Sequence, residues 1–220
     1  MKFSFSVSCN CGKTFRVHVT GNNLPESAQC PKCKSIIWLV EPLGNVVGMV
    51  ILSCAEAELQ KGDCTLAIVL AAMAVECELV YLFMKWNRID LMPVRNPTDA
   101  DDEAWETQWR DKAGNVAARF DKVSSLLTGK SFDAFLAQNN WLLNALHSQY
   151  PASKSAESPK DFLVTQFFRK RNKIVHYGKI DFQQPDAEMC VTCASTLRKI
   201  LAAMDTKRID DLEAKHSTQM

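Results

Sequence analysis

The pattern of hydrophobic and polar positions changes from a period of two to a helical period along the chain. Over residues 3–7 and 15–19, aromatic and branched side chains alternate with polar ones, as in a half-buried strand. Residues 36–40 are a third run typical of a strand, and Gly, Asn and Pro residues within 21–25 indicate turns. These features predict a small β domain over residues 1–43.

The rest of the chain has the spacing of amphipathic helices. We expect helices at 46–60, 63–87, 131–148, 158–177 and 185–204, and a further helix that follows the acidic residues 99–102 and runs to about 127. The prolines within 88–99 indicate a loop, and the Ser- and Ala-rich residues 151–158 indicate a mobile connection. The fold class is therefore mainly α, with a helical domain over residues 46–205 and a polar tail over 206–220.

Local signals support two of these helices. Asp63 is a candidate N-cap, and the apolar residues 66–75 that follow it predict a helix in the centre of a bundle. Ser158 and Pro159 are typical of a helix start, and Gly178 suits the position just beyond a helix end.

Composition and charge narrow the classes of function. The chain is 47% hydrophobic and 23% charged, with a formal net charge of +1, so it is globular and not a strongly basic nucleic-acid binder. Any contact with nucleic acid has to come from a local patch. We see no signal peptide, and the longest apolar run, residues 66–75, is too short to span a bilayer. We therefore expect a cytoplasmic protein with no membrane partner.

Four of the nine cysteines predict a metal site in the β domain. Cys9 and Cys11 form one pair and Cys30 and Cys33 a second pair, each at a turn between strand-like runs. Two such pairs can place four thiolates around a tetrahedral zinc ion. The arrangement resembles a zinc ribbon, although one residue separates the first pair. The alternative is four unligated thiols, but so short a domain needs a metal to fold. Four cysteine ligands imply structural zinc with no catalytic position, and the nearby His18 is expected at the surface.

The remaining cysteines and three tryptophans are expected to be buried. Cys190 and Cys193 have zinc-ligand spacing but no second pair, so core packing is the better interpretation. The other predicted core residues are Cys54, Cys64, Cys77, Trp105, Trp109 and Trp141.

The helix over 158–177 ends in a cluster of candidate functional groups. Asn172 and His176 are four residues apart and share a face, and the long side chain of Arg171 can reach the same place. A guanidinium can hold a phosphate while a histidine moves a proton. Basic residues near a helix C-terminus also stabilise the helix without any function, and spacing alone does not separate the two interpretations. The same two alternatives hold for Arg169, Lys170, Lys173 and Lys179 as an RNA-binding patch.

This segment resembles the HEPN family of helical domains. The family motif is an arginine, usually followed by a polar residue, and a histidine four to six positions later. Residues 171–176, Arg-Asn-Lys-Ile-Val-His, fit this motif. Members also have an early apolar helix containing a glutamate, which Glu76 matches, and a short turn with a final amphipathic helix. The resemblance covers about residues 48–204, although 88–157 match only in being helical.

The resemblance implies a metal-independent endoribonuclease. Two copies would pair so that both motifs line one cleft, with RNA as substrate. His176 would act on the 2′-hydroxyl or the leaving oxygen, Arg171 would stabilise charge on the phosphate, and Asn172 would orient His176. Glu76 is a candidate auxiliary residue. The setting implied is a toxin or phage-defence effector, in which the zinc ribbon contacts RNA or a protein partner.

Two other classes of function stay open at this level. A HEPN-like dimer could recognise RNA, a nucleotide or a protein without cutting it, and a scaffold could join other chains. The complete Arg-Asn-x-x-x-His motif favours the ribonuclease over the scaffold. It does not separate cleavage from binding, because the groups that cleave a phosphodiester also bind one.

Overall fold

A computed structural model describes residues 2–9, 11–20, 27–38, 42–156 and 158–217. The chain divides into two compact units, Met1–Val46 and Val47–Met220, and each is described by itself. The predicted turns within 21–25 lie outside the described residues, as do residues 39–40 of the third strand-like run and the side chain of His18.

The first unit contains two antiparallel pairs of strands. Lys2–Ser8 (β1) pairs with Thr14–Thr20 (β2), with Phe5 opposite Val17. Ser27–Gln29 (β3) pairs with Ile36–Trp38 (β4). The predicted strands at 3–7 and 15–19 are confirmed, and the third is confirmed through Trp38. The three-residue strand β3 was not predicted, because it is too short to show an alternating pattern.

The described part of the second unit is helical, so the prediction of a mainly α fold is confirmed. The helices are α1 Pro42–Gln60, α2 Cys64–Leu91, α3 Asp99–Lys112, α4 Val116–Thr128, α5 Phe132–Gln138, α6 Asn140–Gln149, α7 Pro159–Tyr177 and α8 Gln184–Ser217.

Helix α2 forms the centre of the bundle, as its apolar sequence predicted. Asp63 caps it by accepting a hydrogen bond from the backbone N–H of Leu66 at 2.9 Å. The helix packs against α3, α4, α7 and α8. Among the described residues, α2 is the one helix long and apolar enough to cross a membrane, and 56% of its apolar window is buried, as in the core helix of a globular bundle. It continues to Leu91, so the predicted loop at 88–99 is confined to residues 92–98.

Two predicted helices are each broken in the structure. The helix expected from the acidic residues 99–102 to about 127 is α3, which already begins at Asp99, and α4. It is broken because Gly114 has a φ of 73° and Asn115 caps α4 by accepting from the N–H of Ala118 at 3.0 Å. The expected helix over 131–148 is α5 and α6, separated at Asn139, whose φ of −115° and ψ of 71° are not helical.

The predicted limits of α7 are confirmed at both ends. The Ser158 hydroxyl accepts from the N–H of Asp161 at 3.0 Å, and Pro159 is the first helical residue. Gly178 ends the helix in the left-handed conformation, φ 62°, and its N–H donates to the carbonyl of Ile174 at 3.0 Å.

Two expectations around α7 and α8 are wrong. Residues 151–155 are a short 3-10 helix instead of a mobile connection, and the hydroxyl of buried Ser153 donates to the carbonyl of Tyr150 at 2.6 Å. The last helix, expected at 185–204, instead continues as α8 to Ser217 through the polar segment after residue 205. Part-buried Ile209 and Leu212 pack against the core and so explain this extension.

The predicted core is confirmed at Cys190, Cys193 and Trp109, which are buried, and Trp105 packs against the core while partly buried. Two predictions are wrong: the Cys54 thiol is exposed, and Trp141 is 66% exposed. Both lie on helices whose periodicity does not show which face is covered. Cys64 and Cys77 are only partly buried.

Candidate functional site

The four cysteines of the first unit lie together as a cluster. Their sulfur atoms are all within 4.8 Å of one another. Cys9 Sγ lies 3.4 Å from Cys33 Sγ, and Cys11 Sγ lies 3.7 Å from Cys30 Sγ. Zinc–sulfur bonds of about 2.3 Å in a tetrahedron separate the sulfurs by about 3.8 Å, whereas a disulfide needs about 2.05 Å. The donor set and spacing therefore fit a four-thiolate zinc site and not a pair of disulfides.

Backbone turns hold each cysteine pair. The N–H of Gly12 donates to the carbonyl of Cys9 at 2.8 Å, and the N–H of Lys34 donates to the carbonyl of Cys30 at 3.0 Å. Cys9 and Cys30 are buried and Cys33 is exposed. A hydrogen bond from the Ser35 hydroxyl, 2.7 Å from Cys33 Sγ, lowers the pKa of that thiol to about 6, because the hydroxyl stabilises the thiolate.

The second unit contains an open cavity of about 600 Å³ between α2, the first turn of α4, and α7. Its size is within the range of small-molecule sites, which is roughly 300–1,000 Å³. The four predicted catalytic and auxiliary residues meet there: Arg171, Asn172 and His176 from α7, and Glu76 from α2, which is distant in sequence. The remaining lining residues are Gly114, Asn115, Val116, Ala117, Arg119, Val164, Thr165, Phe168 and Arg169.

Arg171 links two walls of this cavity. Its Nη2 donates to Glu76 Oε2 at 3.2 Å, and its Nη1 donates to Asn172 Oδ1 at 3.0 Å. The Arg171 and Glu76 side chains are each 23% exposed, so solvent screens this ion pair only in part. The pairing fixes the guanidinium at the cavity while leaving part of it accessible.

His176 lies one turn beyond Asn172 and lines the same cavity with an exposed side chain. The sequence predicts that Asn172 orients His176, whereas its hydrogen bond in the structure is to Arg171. Its amide oxygen accepts from Arg171, and within the described residues no hydrogen bond joins Asn172 to His176. Asn172 thus positions the arginine directly.

The predicted basic patch separates into different environments. Arg169 is exposed and lines the cavity. Lys170 Nζ pairs with Asp186 Oδ1 at 2.6 Å. Lys179 Nζ pairs with Asp181 Oδ1 at 3.4 Å. Neither lysine lines the cavity. Lys173 is exposed outside the cavity lining.

Sequence reasoning missed the wall supplied by residues 114–119. Gly114 followed by Asn115 is a local signal for a helix end and a new N-cap, and it could have located the break. Nothing in the sequence shows that this break lies beside α7, because the contact depends on the packing of α4 against α2 and α7.

Comparisons of the chain with protein-family models, with curated proteins and with solved structures give no match.

Proposed function

We propose that the chain is a metal-independent endoribonuclease of the HEPN type. The observation that supports this most is the meeting of Arg171, Asn172, His176 and Glu76 at one cavity, although Glu76 is 95 residues from Arg171. The spacing of the three α7 residues does not require Glu76 to join them, since it reaches the cavity through the packing of α2 against α7.

The proposed reaction follows from the groups present. The 2′-hydroxyl oxygen of the substrate forms a bond to the adjacent phosphorus, and the bond from phosphorus to the 5′ oxygen breaks. The proton lost by the 2′ oxygen is balanced by one gained by the 5′ oxygen, giving a cyclic phosphate and a 5′-hydroxyl. His176 transfers a proton at one of these oxygens, and the Arg171 guanidinium stabilises negative charge on the phosphate.

A second copy of the chain is the proposed partner. Exposed hydrophobic side chains lie on the two helices that carry the motif residues, at the end of α7 and just beyond it and on α2: Leu66, Met73, Val175, Tyr177 and Ile180. The Thr65 hydroxyl donates to the carbonyl of Ile180 at 3.1 Å, which brings the two segments together. Exposed apolar side chains on the helices that carry the motif suit a symmetric dimer with both motifs in one cleft. Light scattering should give a dimer, and a monomer would contradict the shared cleft.

The first unit is proposed to be a zinc ribbon that carries structural zinc. The thiol geometry supports this, and the four-cysteine donor set leaves no open coordination position for chemistry. Its proposed role is to contact RNA or a protein partner. The whole protein would act in the cytoplasm as a toxin or defence effector.

The deciding experiment measures cleavage of mixed RNA in the presence of EDTA. We expect the wild type to produce fragments with cyclic phosphate ends, while His176→Ala and Arg171→Ala reduce the rate by at least about a hundredfold. His147→Gln is the matched control, because His147 bonds to Ser153 away from the cavity. Intact RNA with the wild type, or equal cleavage by His176→Ala, would rule out the nuclease.

A binding module without cleavage is the second candidate. The specific observation favouring it is that Arg171 is already paired with Glu76, which reduces the charge available to a transition state. RNA that is bound but stays intact, with binding lost in Arg171→Ala, would establish this alternative.

A further inference from the structure

Arg119 is the cavity residue that the proposed mechanism does not use. It lies in the first turn of α4 and lines the cavity together with Arg171 and Arg169, which both belong to α7. Its guanidinium carbon lies 5.3 Å from the centre of the Trp109 ring, a cation–π contact that fixes the side chain. Its Nε atom is buried and has no hydrogen-bond partner.

Helix stability does not explain an arginine at this position. The positive end of the helix dipole lies at the first turn, so a cation there is unfavourable. Within the described residues, no carboxylate forms an ion pair with Arg119, whereas Arg171 has Glu76. A buried N–H donor without a partner is also costly, by about 1–3 kcal/mol. The unpaired charge is compensated if an anion enters the cavity and approaches the terminal nitrogens of this guanidinium, whereas a buried Nε without a partner also occurs at Arg88 and Arg208 and is not specific to this site.

The charges around the cavity favour the same ligand. Three arginines and one carboxylate line it, which gives a formal charge of +2 with His176 neutral. The whole chain has a net charge of only +1. Positive charge is therefore concentrated at the cavity, where it attracts a polyanion. Glu76 offsets the charge of Arg171. The charges of the other two arginines, Arg119 and Arg169, are not offset by Glu76, so these two can hold a further anionic group.

We propose that Arg119 forms a second phosphate subsite, which binds the phosphate next to the one held by Arg171 and His176. This inference rests on the proposed function for the identity of the ligand as an RNA strand. The Arg119 guanidinium lies over the Trp109 ring, and the terminal nitrogens of a guanidinium can donate in a planar fork to phosphate oxygens. Arg119 thereby binds and orients the strand across the cavity, while the proton transfer stays with His176.

The test uses a dinucleotide with one internal phosphate and a 2′-deoxy sugar on the 5′ side, so that it cannot be cleaved. It is compared with the same dinucleotide carrying one additional phosphate at its 5′ or its 3′ end. We expect one of the phosphorylated forms to bind the wild type about tenfold more tightly than the parent, as for one charge-assisted contact. Isothermal titration calorimetry measures each affinity.

Arg119→Gln should remove this preference and leave binding of the parent dinucleotide within about twofold. Arg119→Lys keeps the charge without the planar fork and should keep only part of the preference. Arg110→Gln removes the same charge outside the cavity, where Arg110 pairs with Asp111, and should keep the full preference. If Arg119→Gln fails to fold, Arg119→Lys is the test: a reduced preference supports the subsite, and an unchanged preference contradicts it.

The inference is overturned if the wild type shows no preference for either phosphorylated form, if it binds none of the dinucleotides, or if the preference survives in Arg119→Gln and Arg119→Lys. These probes are not cleaved, so the result does not depend on nuclease activity. Intact RNA together with an Arg119-dependent preference would contradict the nuclease and support the subsite. Cleaved RNA without that preference would support the nuclease and contradict the subsite.

Discussion

Arg171 Nη2 lies 3.2 Å from Glu76 Oε2, so the end of α7 is joined to the middle of α2 at the wall of the cavity. The ion pair orients the guanidinium and also neutralises part of its charge. These two effects act in opposite directions on a bound phosphate, and they can therefore be separated by experiment.

Replacing Glu76 by glutamine should separate binding from turnover. The loss of one negative charge should tighten RNA binding by several-fold at low salt. The Arg171 guanidinium loses its fixed orientation, so kcat should fall by about tenfold to a hundredfold. Steady-state kinetics report both effects. Glu106→Gln, on the exposed face of α3, is the matched control and should behave as wild type. An unchanged kcat in Glu76→Gln would show that this ion pair has no positioning role.

Metal removal should affect the two units differently. We expect about one zinc per chain by elemental analysis, and none in Cys30→Ser, because Cys30 is a buried member of the cluster. Chelation should unfold the first unit while most of the helical circular dichroism signal persists, since the helices lie almost entirely in the second unit. Cys54→Ser is the control, because that thiol is exposed on α1 and outside the cluster. Equal zinc content in Cys30→Ser and wild type would contradict the site.

Gly178 should contribute to stability through its backbone conformation. Its φ of 62° is unfavourable for residues with a Cβ, so Gly178→Ala should lower the free energy of unfolding by about 1 kcal/mol. Gly178→Asn should lower it less, because asparagine tolerates the left-handed region. Chemical denaturation measures both variants. Equal stability of all three proteins would show that the last turn of α7, which carries His176, does not depend on this cap.

Phe168 connects the hydrophobic core to the cavity. It is 1% exposed, its ring centre lies 4.6 Å from that of Phe167 and 6.1 Å from that of Phe120, and it also lines the cavity. Phe168→Ala should lower the free energy of unfolding by about 3–5 kcal/mol. Phe168→Leu should cost less, because it leaves a smaller void. A loss below about 1 kcal/mol in Phe168→Ala would show that the α4–α7 packing relaxes around the gap.

The sequence was most informative where a local signal marks an element. Ser158 and Gly178 act through hydrogen bonds within a few residues, so both ends of α7 could be predicted. The cysteine pairs are similarly local, since a short turn holds each one. Asn139 gives no such signal, because neither glycine nor proline marks the break between α5 and α6.

The candidate site could be predicted only in part, for a related reason. Arg171, Asn172 and His176 share one helix, so their proximity follows from helical geometry. The pairing of Arg171 with Glu76 and the position of Arg119 depend on how three helices pack. Periodicity shows that a helix has a buried face, but it does not show which side chains of different helices meet at its edge.

The break between α3 and α4 has a consequence for how this cavity can change in evolution. One of its walls is formed by the turn residues Gly114 and Asn115 and the first turn of α4, and not by the side of a continuous helix. Turns accept insertions and substitutions that helix interiors reject. Related chains can therefore differ in the length of this turn and accommodate ligands of different size, while the histidine and arginine of α7 stay in place.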